Sequence, residues 1–410
     1  MKILQLCKKF PFPLKDGESI AITNLSKALN DLGCEVSLLS MNTKKHYFDL
    51  IQLPSDFNHY SSIHEVKLDN ELKLKDAFLN LFSKDSYHIS RFVSKDFELA
   101  LKRILRKNKF DIIQLETLYL APYIPVIRKY SNAIISMRAH NVEHEIWERI
   151  AGNTTFFPKK WYLKYLTGKL KKYEVTHLNE YDLLVPITDR DLGKFRKMGY
   201  KNGVSVIPIG IDQEDYNPDF SSFNKELSLS FIGSLDWMPN QEGLQWFLEN
   251  VWPKAIKRFP KLSIHIAGRN TPEWMMNMKV KNVKFHGEVP CAGAFINQHQ
   301  IMVVPLLSGS GMRAKILEGM ALGRVVLTTK IGLEGINAED KKEVLVADKA
   351  DEFIAAIEYC YQKKENLYRI GHNALEFVSE NYDNLQIATK LATTYKKLIE
   401  KEKKALVENH

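Results

Sequence analysis

Cysteine is scarce in this sequence, and long apolar runs, repeats and low-complexity tracts are missing altogether. The four cysteines, Cys7, Cys34, Cys291 and Cys360, lie far apart and form no CxxC pair, which places the chain in a reducing compartment. No stretch approaches the roughly 18 consecutive apolar residues that suggest a membrane span. The opening Met1-Lys2-Ile3-Leu4-Gln5-Leu6-Cys7 has one basic residue and a short apolar core, and Lys8 and Lys9 follow at once. That is too short for a signal peptide and reads as a first buried strand, so a cytoplasmic location is expected. An RNA-binding aromatic signature, zinc-finger spacing and a base-reading helix-turn-helix are all missing, so nucleic acid is not expected as a partner. There is no GxxxxGK[ST], which excludes a nucleotide triphosphatase loop.

What is present describes an ordinary soluble enzyme, with 45% hydrophobic and 26% charged residues. A chain of 410 residues is long for one core, so two domains are expected. The net charge of +9 suits anionic partners, from nucleotide phosphates to an anionic membrane face. The apolar run 2–7, a loop 8–18 and helical spacing at Ile20, Leu25, Ala28, Leu29 and Leu32 are followed by a strand from Glu35. Strand–helix–strand order of this kind implies a parallel sheet. Further strands are expected at Ile112–Leu115, Ala133–Met137 and Leu183–Ile187, and another running from Val204 into a turn near Asp212. Residues 44–95 show weak periodicity and read as an excursion from that sheet. A polar stretch to about Lys225 reads as a link.

A second alternating series follows, with strands at 227–233, 262–267, 283–286, 301–306 and 324–329 and helices near 240–250 and 313–322. The expected architecture is α/β, with two doubly wound, Rossmann-like domains facing a cleft. The first spans 1–212 and the second 213–383. A Lys-rich helix from about 384 to 410, apolar at Ile387, Leu391, Tyr395 and Leu398, completes the first.

The most informative stretch is Pro305-Leu306-Leu307-Ser308-Gly309-Ser310-Gly311-Met312-Arg313-Ala314-Lys315-Ile316-Leu317-Glu318. A buried strand empties into a glycine-rich turn and a helix starts, an arrangement that favours an anion. Arg313 and Lys315, placed in the first turn, oppose the helix dipole unless an anion bridges them. Lys315 and Glu318 share a face, with Leu317 and Ala321 on the buried side.

This stretch resembles the donor site of the retaining family-4 glycosyltransferases of GT-B architecture. So do Phe231-Ile232-Gly233-Ser234-Leu235-Asp236-Trp237-Met238-Pro239-Asn240, Ile266-Ala267-Gly268-Arg269 and Phe285-His286-Gly287-Glu288-Val289. The likeness extends over nearly the whole chain and is most specific over 229–335. It implies a hexosyltransferase-type glycosyltransferase that moves a sugar, with retention, from a nucleotide-sugar donor to a glycan or lipid-linked acceptor in cell-surface polysaccharide or glycoconjugate synthesis. By the same resemblance the first domain binds the acceptor and the second the donor. Glu318 would hold the ribose hydroxyls, Arg313 and Lys315 the diphosphate, and Ser310-Gly311 would lie beside the donor sugar. Arg269 belongs to the same donor-binding set.

Two departures stand out. Eight residues before Glu318, where the family usually places another glutamate, this chain has Ser310. The basic residues usual after the glycine matching Gly233 are also missing from Ser234-Leu235-Asp236-Trp237. Both fit a subgroup in which Arg313 and Lys315 carry more of the phosphate work.

In the first domain, Gly17 lies in the loop at the carboxyl edge of the sheet, where it permits close approach of a phosphate or sugar. His140 follows the strand ending Ser136-Met137-Arg138, and the resemblance makes it the histidine that contacts the reacting sugar. His140-Asn141-Val142-Glu143-His144 also matches H-x-x-E-H, an inverted zinc-peptidase motif that requires one helix across the five residues. Asp189-Arg190-Asp191 resembles a metal-gripping D-x-D, but capping of a helix by Thr188 or Asp189 accounts for it better. No metal and no cofactor are therefore expected. Residues 159–172 interleave six lysines with aromatics, a pattern suited to an anionic membrane surface or to a solvated face. The competing functions are a nucleotide-sugar epimerase or hydrolase on the same scaffold, a zinc metallopeptidase, and a sugar-binding protein of periplasmic type.

Overall fold

The computed structural model describes residues 1–14, 16–71, 80, 86–309 and 311–408. The chain divides into two compact units, Met1–Gly210 together with Asn384–His410, and Ile211–Asp383.

In the first unit, β1 (Lys2–Cys7) is buried at every position but its first, as a strand covered on both faces requires. The Asp16 side chain caps the following helix, Gly17–Asp31, by accepting from the Ser19 amide. β2 (Glu35–Thr43), β3 (Ser62–Leu68), β4 (Ile112–Leu115), β5 (Ile134–Ala139), β6 (Leu183–Pro186) and β7 (Gly203–Val204) complete a sheet. Its order is β3-β2-β1-β4-β5-β6-β7, and every pairing is parallel. β3 lies within the segment that the sequence reads as an excursion. It pairs only with β2 and is half-buried along its length, so its residues carry no clear apolar pattern. The strand expected from Val204 towards Asp212 is regular only over Gly203–Val204, but the Ser205 and Ile207 amides still donate to the Leu184 and Pro186 carbonyls beside it.

The C-terminal helix Asn384–Glu408 packs Ile387, Ala388, Leu391 and Tyr395 against Ile22, Leu25 and Leu29. It thereby closes one face of the first sheet.

The second unit holds β8 (Ser228–Ile232), β9 (Ser263–Ala267), β10 (Val283–Gly287), β11 (Ile301–Val304), β12 (Val325–Thr328) and β13 (Leu345–Val346). Their order is β10-β9-β8-β11-β12-β13, again all parallel. The polar stretch read as a link folds into this unit instead. Phe223 is buried there, and Phe220 stacks on His372 while Arg324 lies over both phenylalanine rings. Two aromatics are enough to anchor an otherwise polar segment.

The order in which successive strands are added reverses once in each sheet, between β1 and β4 and between β8 and β11. Loops leaving the carboxyl ends of those strands diverge there, which is where ligands bind in open parallel sheets.

Candidate functional site

The reversal between β8 and β11 brings together the loop 233–237, which enters the helix Met238–Trp246, and the loop 305–313, which enters the helix Ala314–Ala321. Gly309 and Gly311 have φ of +114° and +77°. A side chain at either would be strained, so glycine is required for this tight return. Ser310, between them, lies outside the described residues.

Arg313 is not in the first turn, as its spacing suggests, but at the N-cap position. Its side chain is only 5% exposed and folds back so that Nη1 donates to the Gly311 carbonyl. The guanidinium thus braces the glycine turn from inside.

Lys315 points into the junction. Its Nζ donates to Asn240 Oδ1 (2.7 Å) and the Ile232 carbonyl (3.4 Å), and sits 4.9 Å from the centre of the Phe231 ring. Burial pulls its ammonium down to about 7, with Arg313 adding to the effect and Glu318 opposing it. Glu318, one turn on, accepts from the Tyr216 hydroxyl at 3.3 Å. Burial raises its carboxyl, against Tyr216 and Lys315. The two charged groups on one helical face are therefore each held by a neutral partner.

Arg269 follows β9 and is tied to the same region by its carbonyl, which accepts from the Leu235 amide at 2.9 Å. Asp236 accepts from the Ser234 hydroxyl (2.5 Å), which holds its carboxyl low, and Arg269 contributes in the same direction. Gly311, Arg313, Lys315, Glu318 and Arg269 are thus gathered at one end of the second sheet. Asn240 and Tyr216 join them, though neither stands out in the sequence except that Asn240 closes the Phe231–Asn240 motif.

His140 belongs to the first unit. It lies just beyond β5, where its Nε2 contacts Glu116 Oε2 at 3.0 Å. Glu116 also accepts from Gln5 Nε2 (2.5 Å) and Gln114 Nε2, and Arg138 stands 3.6 Å away. Burial alone would push the Glu116 carboxyl up, but Arg138, His140 and Gln5 hold it below the usual range. This buried network fixes the imidazole from behind.

Gly17 is the exposed first residue of its helix. The next residue, Glu18, is approached by Lys8 (3.3 Å) and Lys9 (3.7 Å). Burial disfavours its charge, but Lys8, Lys9 and His140 hold its carboxyl down at about 2.

The H-x-x-E-H residues do not share one helix, because the helix Glu143–Asn153 begins only at the fourth of them. His140 faces Glu116, Glu143 accepts from the Tyr119 hydroxyl (3.0 Å), and His144 Nδ1 meets Glu174 (2.5 Å). Among the described residues, no three His, Cys, Asp or Glu side chains are placed to hold a metal ion. The zinc-peptidase geometry is therefore missing. In Asp189-Arg190-Asp191, Thr188 Oγ1 accepts from the Asp191 amide (3.0 Å) and caps the helix Asp189–Lys197. Residues 159–172 fall on the helix Phe157–His177, which buries Leu166 and Leu170 and exposes Trp161. No helix among the described residues is long and apolar enough to cross a membrane.

Residues 226–363, all within the second unit, match the family described as Glycosyl transferases group 1. An uncharacterized 44.6 kDa protein in the cps region of Klebsiella pneumoniae is 24% identical over 303 residues, covering 70% of this chain and 74% of the relative. Among solved structures, sucrose-phosphate synthase from Thermosynechococcus elongatus is 15% identical with a TM-score of 0.74, over 98% of this chain and 100% of that one. HepE of Anabaena, in complex with UDP-glucose, is 14% identical with a TM-score of 0.66, over 97% and 100%. TarM is 13% identical with a TM-score of 0.70, over 96% and 98%. A stretch that matches the glycosyl transferases group 1 family is thus set in a chain of GT-B fold.

Proposed function

We propose that this protein is a retaining glycosyltransferase that binds a nucleotide-sugar donor in its second unit and passes the sugar to a glycan or lipid-linked acceptor. The observation that carries this reading is the pair on the helix Ala314–Ala321. One half-buried ammonium and one half-buried carboxylate, a turn apart, stand where two strand-end loops diverge, and each rests on a neutral partner. A diphosphate supplies the counter-charge that Lys315 lacks, and a ribose diol supplies hydroxyl donors to Glu318. Arg313 keeps the glycine turn in shape, and Gly311 borders the sugar. Arg269 completes the donor-binding set of this unit.

As the glycosidic bond breaks, negative charge grows on the departing diphosphate. Preorganised cations and backbone N–H groups stabilise it without reorganising. No metal is needed in this scheme, and turnover is expected to survive chelation. In the first unit, Glu116 accepts from Nε2–H of His140, which leaves Nδ1 as an acceptor for a hydroxyl group.

The UDP-glucose complex of HepE makes uridine diphosphate sugars the first donors to try, and the Klebsiella relative in the cps region supports a role in polysaccharide synthesis. The reading is tested by incubating the protein with nucleotide sugars and a lipid or glycan acceptor extract. Nucleoside diphosphate release that requires acceptor, and a product with the donor's anomeric configuration by NMR, are expected. Turnover without acceptor would instead identify an epimerase or a hydrolase.

A further inference from the structure

We propose that Asn240 is a positioning residue for Lys315, aiming its ammonium at the phosphate position while leaving its charge unspent. The inference rests on the reading that the second unit takes a nucleoside diphosphate.

Asn240 is the third residue of the helix Met238–Trp246 and is only 3% exposed. Both ends of its amide are committed. Oδ1 accepts from Lys315 Nζ at 2.7 Å, and Nδ2 donates to the Ser234 carbonyl at 2.7 Å. One side chain therefore joins the loop after β8 to the helix after β11, across the strand reversal. Gly233 makes room for the junction, since a Cβ there would stand 2.9 Å from both Asn240 Nδ2 and Lys315 Nζ.

The chemistry of the partner matters as much as its position. A carboxylate at 240 would form a buried ion pair with Lys315 and repel an incoming diphosphate. An amide oxygen orients the ammonium through one hydrogen bond and leaves its full charge for the ligand. What else faces Lys315 from β8 is also neutral, namely the Phe231 ring and the Ile232 carbonyl. The charged groups acting on it are Arg313 and Glu318, both from its own segment. Such a cation is oriented in advance, so little ordering cost remains when the ligand arrives.

The test is a double-mutant cycle on the full chain, read by calorimetry with whichever of the uridine, guanosine, adenosine and thymidine diphosphates binds the wild type most tightly. Asn240→Ala and Asn240→Ser are each expected to weaken binding about tenfold. Either change in a Lys315→Ala background should cost nothing further. In Asn240→Asp, the new anion should keep Lys315 protonated to higher pH. The fall in affinity on the alkaline side then moves up by about one pH unit or more. Equal losses with and without Lys315, or an Asn240→Asp pH profile that overlays the wild type, would overturn the proposal while leaving the diphosphate site standing. Failure of the wild type to bind any of the four diphosphates would overturn both.

Discussion

Glu116 and Glu143 are both buried in the first unit, yet their carboxyls shift in opposite directions. Glu116 has Arg138, His140 and Gln5 around it and stays charged. Glu143 has Tyr119 as its hydrogen-bond donor. Burial, with Glu174 and Glu18 adding to it, pushes its carboxyl up to about 7 against Lys8 and Tyr119. A carboxyl raised in the native state binds a proton there that the unfolded chain releases near 4.5. Stability from this group is therefore present below about 4.5 and lost as pH rises to about 7. Glu143→Gln should be nearly neutral at pH 5 and stabilising by roughly 1–3 kcal/mol at pH 8. Denaturant unfolding at the two pH values checks this, and an equal effect at both would contradict it. At this scale the sequence shows the charged members of a site better than their partners. Lys315 and Glu318 stand out because a glycine-rich turn precedes them. Asn240, Tyr216 and Glu116 meet Lys315, Glu318 and His140 from 75, 102 and 24 residues away. Nothing local marks such residues.

Among the elements, central strands were legible, and so was the edge strand β10, but the edge strand β3 was not. β4 is expected at Ile112–Leu115 and found there, since a strand buried on both faces is a plain apolar run. β3, on the sheet edge, offers no such run. The start of the helix Ala314–Ala321 was displaced for a related reason, because Arg313 has turned its charge inward to serve a loop. The helix Phe157–His177 carries the opposite feature, aromatic surface left outside. Phe157 and Trp161 are 76% and 59% exposed, beside Lys159, Lys160 and Lys164. Aromatic rings flanked by lysines suit an anionic lipid interface. We therefore expect binding to vesicles containing about 30% phosphatidylserine, lost on Phe157→Ser together with Trp161→Ser and weakened by salt. Sedimentation of vesicles with the protein measures it, and equal binding to neutral vesicles would contradict the electrostatic part.

For the whole molecule, two parallel sheets were readable from alternating strand and helix patterns, because each strand is short, apolar and closed by a turn signal. The return of the Asn384–Glu408 helix to the first unit was visible as one narrow apolar face on a lysine-rich segment. The segment after residue 210 was harder to place, because Phe220 and Phe223 sit in polar surroundings and find their partners far along the chain. The central claim is that the second unit binds the diphosphate and ribose of a nucleotide sugar through Lys315 and Glu318. Calorimetric titration of the full chain with uridine diphosphate and the other nucleoside diphosphates, at pH 6.5 and pH 8.5, tests it most directly. Lys315 is held near 7 rather than its ordinary 10.5, so its charge is present below that point and lost above it. One diphosphate should bind more tightly at pH 6.5 and take up a proton at pH 8.5, and Lys315→Ala and Glu318→Ala should each weaken it about ten- to a hundredfold. Undiminished affinity in both variants would contradict the account.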